Sequence, residues 1–118
     1  MVVFLYDKIK IINSVLEKYF DDDIYNLFLN KYCYDYHLIL KHYFKDAILV
    51  IEKNNYHCAT LINNNVYDVT GLRCKNDFVL ADKNDLDFIL DFYNKLDDDY
   101  DIINVLESSN IRQYIYKK

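Results

Sequence analysis

With 118 residues, 53% of them hydrophobic, the chain has material for one core, and one domain over 1–118 is the expected organisation. The formal charge is −5, and the 14 Lys and Arg are scattered without a basic stripe, which argues against a nucleic-acid partner. No apolar run approaches a membrane span, and Met1 to Tyr6 is too short for a signal peptide before Asp7 and Lys8, so no membrane partner and a cytoplasmic location are expected.

The first predicted element is a helix from Val3 to Phe20, whose apolar positions Leu5, Ile9, Ile12, Val15, Leu16 and Tyr19 recur at helical spacing. Asp22 or Asp23 can cap a second, short helix through Leu29. The acidic runs Asp21-Asp22-Asp23 and Asp97-Asp98-Asp99 lack the spacing of a calcium loop and read as helix starts, where carboxylates oppose the positive end of the macrodipole. A third helix is expected over Cys33 to Phe44, with Tyr36, Leu40, Tyr43 and Phe44 facing inward.

The pattern then changes to strands. Ala47 to Ile51 is a β-branched apolar run, Lys53-Asn54-Asn55 is a turn signal, and Tyr56 to Ile62 reads as the second strand. Asn63-Asn64 is a second turn before a third strand, Asn65 to Thr70, which Gly71 ends. Phe78 to Ala81 adds a candidate fourth strand. Helix returns after a cap at Asn84 or Asp85, with Leu86, Ile89, Leu90, Tyr93 and Leu96 on one face. A last helical stretch runs from about Asp99 to Tyr116, broken near Ser108-Ser109-Asn110. The fold class is therefore α+β. A three- to four-stranded antiparallel meander packs on a helix that carries Cys33 at its N-terminus, and helices flank it at both chain ends.

Chemistry is expected at Cys33, His57 and Asp68. A thiol nucleophile needs a depressed pKa, a base in reach, and a group that orients the base. Cys33 opens the third helix, where unpaired N–H groups favour an anion; thiols so placed beside a histidine fall to about 3.5–7.5 from about 8.5. A two-residue turn at Asn63-Asn64 pairs Ile62 with Asn65 and Ala59 with Asp68, which sets Asp68 one diagonal step from His57 on the same face. The turn at Asn54-Asn55 places Glu52 opposite His57, a rival orienter near the hairpin tip. On this register the Cys33 helix is expected to cover the His57–Asp68 face, with the His57 ring between sulfur and carboxylate.

His37, four residues after Cys33 on the same helical face, is a second candidate base. A zinc site would need Cys33, His37, His57, Cys58 and Cys74 to converge. His57 and Cys58 point to opposite faces of a strand and no CxxC occurs, so neither a metal nor any other cofactor is expected. The three cysteines have no framework spacing and read as reduced thiols, Cys58 and Cys74 as core residues.

Cys33-Tyr-Asp-Tyr-His-Leu-Ile-Leu-Lys, followed by His57-Cys-Ala-Thr-Leu-Ile-Asn-Asn-Asn-Val-Tyr-Asp68-Val-Thr-Gly71, resembles the papain-like superfamily in its broad sense, transglutaminase-like proteins included. The resemblance covers about residues 30–72. It implies a papain-like domain and a thiol-dependent hydrolase or acyl transferase acting on an amide, ester or thioester of a protein or peptide substrate. Cys33 would attack, His57 shuttle the proton and Asp68 orient His57. The chain departs from that pattern: Lys31 and Tyr32 precede Cys33 where relatives carry a small residue, and no Gln lies upstream, which leaves Asn26 or Asn30 as the oxyanion donor. The alternative function is a non-catalytic binding protein, such as a phage-encoded inhibitor of a host defence protein, on a degenerate scaffold. The abundance of Tyr, Asn, Ile, Lys and Phe is the codon signature of an AT-rich genome, that of a low-GC bacterium or its phage.

Overall fold

The structure is a computed structural model and describes residues 5–20, 23–29, 32–53, 55–92 and 99–116. Its contacts gather into two compact units, residues 1–24 with 97–118, and residues 25–96.

The first unit is helical. It contains α1 (Leu5–Phe20), α5 (Asp99–Ser108) and α6 (Arg112–Ile115), and α1 packs against both of the others. The α1 stripe buries Ile9, Ile12 and Leu16, and Ile102, Leu106, Ile111 and Ile115 are buried from the C-terminal segment. The break expected near Ser108-Ser109-Asn110 is present: Asn110 sits at φ 55, a left-handed geometry that Asn tolerates. Tyr93, Leu96, Asp97 and Asp98, along with Val3, Asp21 and Asp22, lie outside the described residues.

The second unit is built on a five-stranded antiparallel sheet in the order β4-β3-β2-β1-β5. The strands are β1 (Ile48–Glu52), β2 (Cys58–Ile62), β3 (Asn65–Asp68), β4 (Gly71–Arg73) and β5 (Phe78–Leu80). Asn63 and Asn64 take φ 50 and 70, the two positive values a tight hairpin turn needs, and Ile62 pairs with Asn65 as the turn predicts. On the other side Ile51 pairs with Cys58, and the Glu52 N–H donates to the His57 carbonyl at 2.9 Å. Strand β4 is absent from the sequence reading. Gly71, at φ 106, does not end the sheet but folds the chain back, so that it pairs with Asp68 and starts another strand. Three residues leave no alternation to read.

Helices α2 (Ile24–Leu29) and α3 (Cys33–Tyr43) precede the sheet, and α3 packs on β2. After the sheet, α4 (Lys83–Phe92) is capped by Asp82 rather than by Asn84 or Asp85. Asp82 accepts the Asp85 N–H at 2.8 Å while Asp85 accepts the Asp82 N–H at 3.0 Å, a reciprocal capping box.

The sheet is curled. Arg73 on β4 lies 3.8 Å from Glu52 on β1, with β3 and β2 between them. Three strand spacings on a flat sheet are roughly 14 Å, a gap these two side chains would close only by lying nearly fully extended along the surface, whereas side chains stand roughly perpendicular to a sheet. The concave face buries Val50, Ala59, Val66 and Phe78, and the opposite face buries Ile51 and Cys58 against Cys33 and Ile89.

Replacing Gly71 by Val forces a β-branched residue to φ 106 and is expected to cost about 1–3 kcal/mol, read as a lower urea midpoint at unchanged slope. An unchanged midpoint would show that residue 71 does not hold this conformation.

Candidate functional site

Helix α3 begins abruptly. Tyr32 sits outside helical geometry at φ −121 and ψ 30 and offers no side-chain cap, so Cys33 is the first residue of the helix proper. Its thiol is 2% exposed and lies among Ile51, Cys58 and Ile89. The backbone N–H of Cys58 donates to Cys33 Sγ at 3.3 Å. This donor comes from the opening residue of β2, which ties the position of the sulfur to the sheet.

His57 immediately precedes β2. Its N–H donates to Asn55 Oδ1 at 3.0 Å and its carbonyl is held by Glu52, so the backbone that carries the ring is fixed on both sides. The imidazole Nε2 meets Asp68 Oδ2 at 2.9 Å, and both side chains are buried. Nδ1 is then the nitrogen left to face the thiol.

Asp68 ends β3 and is heavily bonded. Its Oδ1 accepts the Thr70 N–H at 2.8 Å and the Thr70 hydroxyl at 2.5 Å. Its Oδ2 is shared between His57 and the Arg73 guanidinium. Arg73 also lies 5.5 Å over the Phe78 ring, whose centroid is 6.4 Å from that of His57. Glu52, the rival orienter, is paired with Arg73 and not with the imidazole.

These contacts set the charges. The Cys58 thiol hydrogen bond, with help from His57, outweighs burial and lowers the Cys33 thiol from 9.0 to about 5. Burial alone would depress His57, but hydrogen bonds to Asp68 and Cys33 overcome it and raise the imidazole from 6.5 to about 9. Burial disfavours the Asp68 carboxylate, yet the bonds from His57 and Thr70 and the Arg73 charge hold it below its ordinary value. Cys58 is driven the other way: its hydrogen bond to Cys33 and its burial keep it a neutral thiol. The directions of these shifts favour a thiolate, an imidazolium and a carboxylate in sequence.

The three residues singled out by sequence are thus brought together, but not as the register reasoning placed the helix. His37 Nδ1 meets Thr60 Oγ1 at 2.8 Å, and Cys33 packs with Cys58 and Ile51. Thr60 and Cys58 share the face opposite His57, so α3 covers that face and not the one bearing Asp68. The ring can still serve both partners because His57 stands before the first paired residue of β2, at the sheet's end, where the pleat does not dictate its direction.

His37 is not a rival base. Burial and then the Lys41 charge lower it to about 4, and it is spent on Thr60. Cys74 is exposed rather than in the core, and among the described residues no three His, Cys, Asp or Glu side chains gather as metal ligands. Asn26 is exposed on α2 and Asn30 lies outside the described residues. Sequence reasoning missed Arg73, Thr70 and the Cys58 N–H. Thr70 and Arg73 flank Gly71, a local signal that the polar side chains there return to Asp68. A backbone donor leaves no signal.

What the fold and site define is a small α+β protein with a Cys–His–Asp constellation across a helix start and a sheet end. A family of phage proteins, described as phage YunG-like protein, matches residues 9–114, and the chain belongs to that family. This overturns the resemblance to papain-like and transglutaminase-like cysteine hydrolases. The physical reason is that a Cys at a helix start with His and Asp on an antiparallel hairpin is a geometry reached from unrelated sequences, and it does not specify a family. Neither the curated proteins nor the solved structures compared with the chain gave a match. No described helix is long and apolar enough to cross a membrane.

The signs of the two shifts define a pH window. The lowered thiol contributes stability that is complete above its unfolded value and is lost as pH falls through about 5. The raised imidazole contributes stability that is complete below its unfolded value and is lost as pH rises through about 9. Alkylation of Cys33 by iodoacetamide, followed by mass spectrometry, should therefore rise through an inflection near pH 5. In His57→Ala the inflection should move up toward that of an ordinary thiol. A wild-type rate that rises only above about pH 8, as free cysteine does, would contradict the ion pair.

Proposed function

We propose that the protein is a cysteine-dependent hydrolase or acyl transferase acting on an amide, ester or thioester of a protein or peptide. The observation that carries this reading is the His57 imidazole, held by Asp68 at 2.9 Å and placed beside the Cys33 thiol. The thiolate attacks the carbonyl carbon, and the carbonyl oxygen takes the negative charge. The Cys58 N–H, which donates to the sulfur, is the candidate donor to that oxyanion. The imidazolium then gives its proton to the leaving nitrogen, oxygen or sulfur as the bond breaks, which leaves a thioester on Cys33. Water completes hydrolysis, or an amine or other acceptor completes transfer, with His57 as base. Asp68 stays ionised, stabilises the imidazolium and fixes its ring. No metal or organic cofactor takes part in this scheme. Membership of a phage family supports action in the cytoplasm of an infected host.

A second reading has its own support. The Cys33 side chain is 2% exposed, so a substrate must displace its neighbours to reach the sulfur. That burial favours a non-catalytic binding protein, such as an inhibitor of a host defence protein, in which the ion pair is structural.

The two separate in one experiment. The protein is incubated with p-nitrophenyl acetate, with an acyl-N-acetylcysteamine thioester and with a peptide anilide, and its intact mass is followed. The enzyme reading expects one acyl adduct on Cys33 that decays with time, none in Cys33→Ala, and acylation slowed by about 10²–10⁴-fold in His57→Ala. No adduct from any donor, or an adduct only on exposed Cys74, would transfer support to the binding reading.

A further inference from the structure

Strand β5 is an outer strand of the curled sheet. The Ala81 N–H donates to the Leu49 carbonyl at 3.2 Å and the Lys53 N–H to the Asp77 carbonyl at 3.0 Å. In an antiparallel ladder this phase turns the main chain of Val79 toward β1 and that of Phe78 and Leu80 outward. Among the described residues no strand pairs with that outer edge. It is not shielded either: Val79 is 42% and Leu80 62% exposed. An accessible apolar edge of this kind is a template for another strand.

Beside the edge lies an open cavity of about 560 Å³. Val50, Leu61, Val66, Phe78 and Leu80 form its apolar wall, and the connection from β4 to β5 crosses the same face with Lys75 and Asn76. Among the described residues, Lys53 and Lys75 are the charged members of the lining and it holds no carboxylate. Lys75 Nζ is hydrogen-bonded to Asn64 Oδ1, and among the described residues neither lysine is in an ion pair. In a chain of net charge −5, a groove walled by cations alone is a local reversal of sign.

We infer that the β5 edge and this groove bind an extended, acidic segment of a partner protein, added to the sheet as a sixth strand. The Phe78 N–H is taken by the Lys75 carbonyl, so the outward C=O of Phe78 and the N–H and C=O of Leu80 would hold its main chain. Side chains two apart on the incoming strand share one face. One of them, aliphatic, packs beside Leu80, and the next, a carboxylate, reaches Lys53 or Lys75. Such strand addition takes its affinity from main-chain hydrogen bonds and its selectivity from alternate side chains. This surface is on the face of the sheet opposite α3 and does not depend on the chemistry of Cys33.

The probe is an acetylated peptide with the core Thr-Val-Thr-Glu-Thr, and its control carries Lys in place of Glu. Titration of the full chain is followed by fluorescence anisotropy and by amide chemical shifts. The Glu peptide should bind at least about tenfold more tightly than the control, the equivalent of one salt-linked contact of about 1.4 kcal/mol. Its largest shifts should fall on Phe78, Val79 and Leu80. The double variant Lys53→Glu/Lys75→Glu, in which both changed residues are on the surface, should reverse the preference between the peptides. Leu80→Pro, which deletes one outward N–H, should weaken both. Equal affinity for the two peptides, no binding below about 1 mM, or shifts confined to other residues would overturn the inference. So would concentration-dependent dimerisation through β5, which would assign the edge to a second copy. Binding of decanoate without change at the β5 amides would assign the cavity to a small amphiphile instead, and would overturn it too.

Discussion

The hydrogen bond between His57 Nε2 and Asp68 Oδ2, 2.9 Å long and buried, is the contact on which the site depends. A carboxylate taken from water is costly unless its oxygens are paired. Asp68 meets that condition with His57, both Thr70 donors and Arg73. The hairpin turn at Asn63 and Asn64 makes the contact reachable. It sets the register that brings the end of β3 beside the start of β2. A slip of one residue would send Asp68 to the opposite face.

Sharing of one carboxylate oxygen between a histidine and an arginine has a consequence for the thiol. With the hydrogen bonds from His57 and Thr70, the Arg73 charge helps hold the Asp68 carboxyl below its ordinary value, which favours a negative charge facing the imidazole. Arg73 also draws on that same charge, which moderates how far Asp68 raises His57. The sharing follows from the strand order: β3 lies between β4, which carries Arg73, and β2, which follows His57, while Glu52 meets Arg73 from across the sheet. The sulfur approaches from the other side of the sheet, on α3. The site therefore straddles the end of the sheet, where side chains leave the strict alternation of the strands.

Much of this was legible from residue order. The strong helical stripe of α1, the β-branched run of β1 and the Asn63-Asn64 turn have local physical causes, and each lies where the sequence predicts it; Asn54 lies outside the described residues, and Tyr56, read as strand, instead takes φ 57 in the loop before β2. Cys33, His57 and Asp68 were recognisable because a helix start and a hairpin register are both local properties. The side of the sheet on which α3 lies was not legible. It depends on the packing of Cys33 and His37 against Cys58 and Thr60, a tertiary preference for a face that was apolar on paper either way. Strand β4 was too short to show a period, and the β4–β5 connection across the concave face depends on the curl. The family, too, was misread, since the chain belongs with the phage YunG-like proteins while its constellation is common to unrelated folds.

The central claim is that Cys33 and His57 rest as a thiolate and an imidazolium with Asp68 behind them. The most direct measurement is the ¹⁵N chemical shifts of the His57 ring across pH, in the wild type and in Cys33→Ala. The account expects both ring nitrogens protonated at pH 7, a titration near 9, and a fall of that value when the sulfur is removed. A neutral His57 ring at pH 7 in the wild type, or a titration indifferent to Cys33, would contradict it.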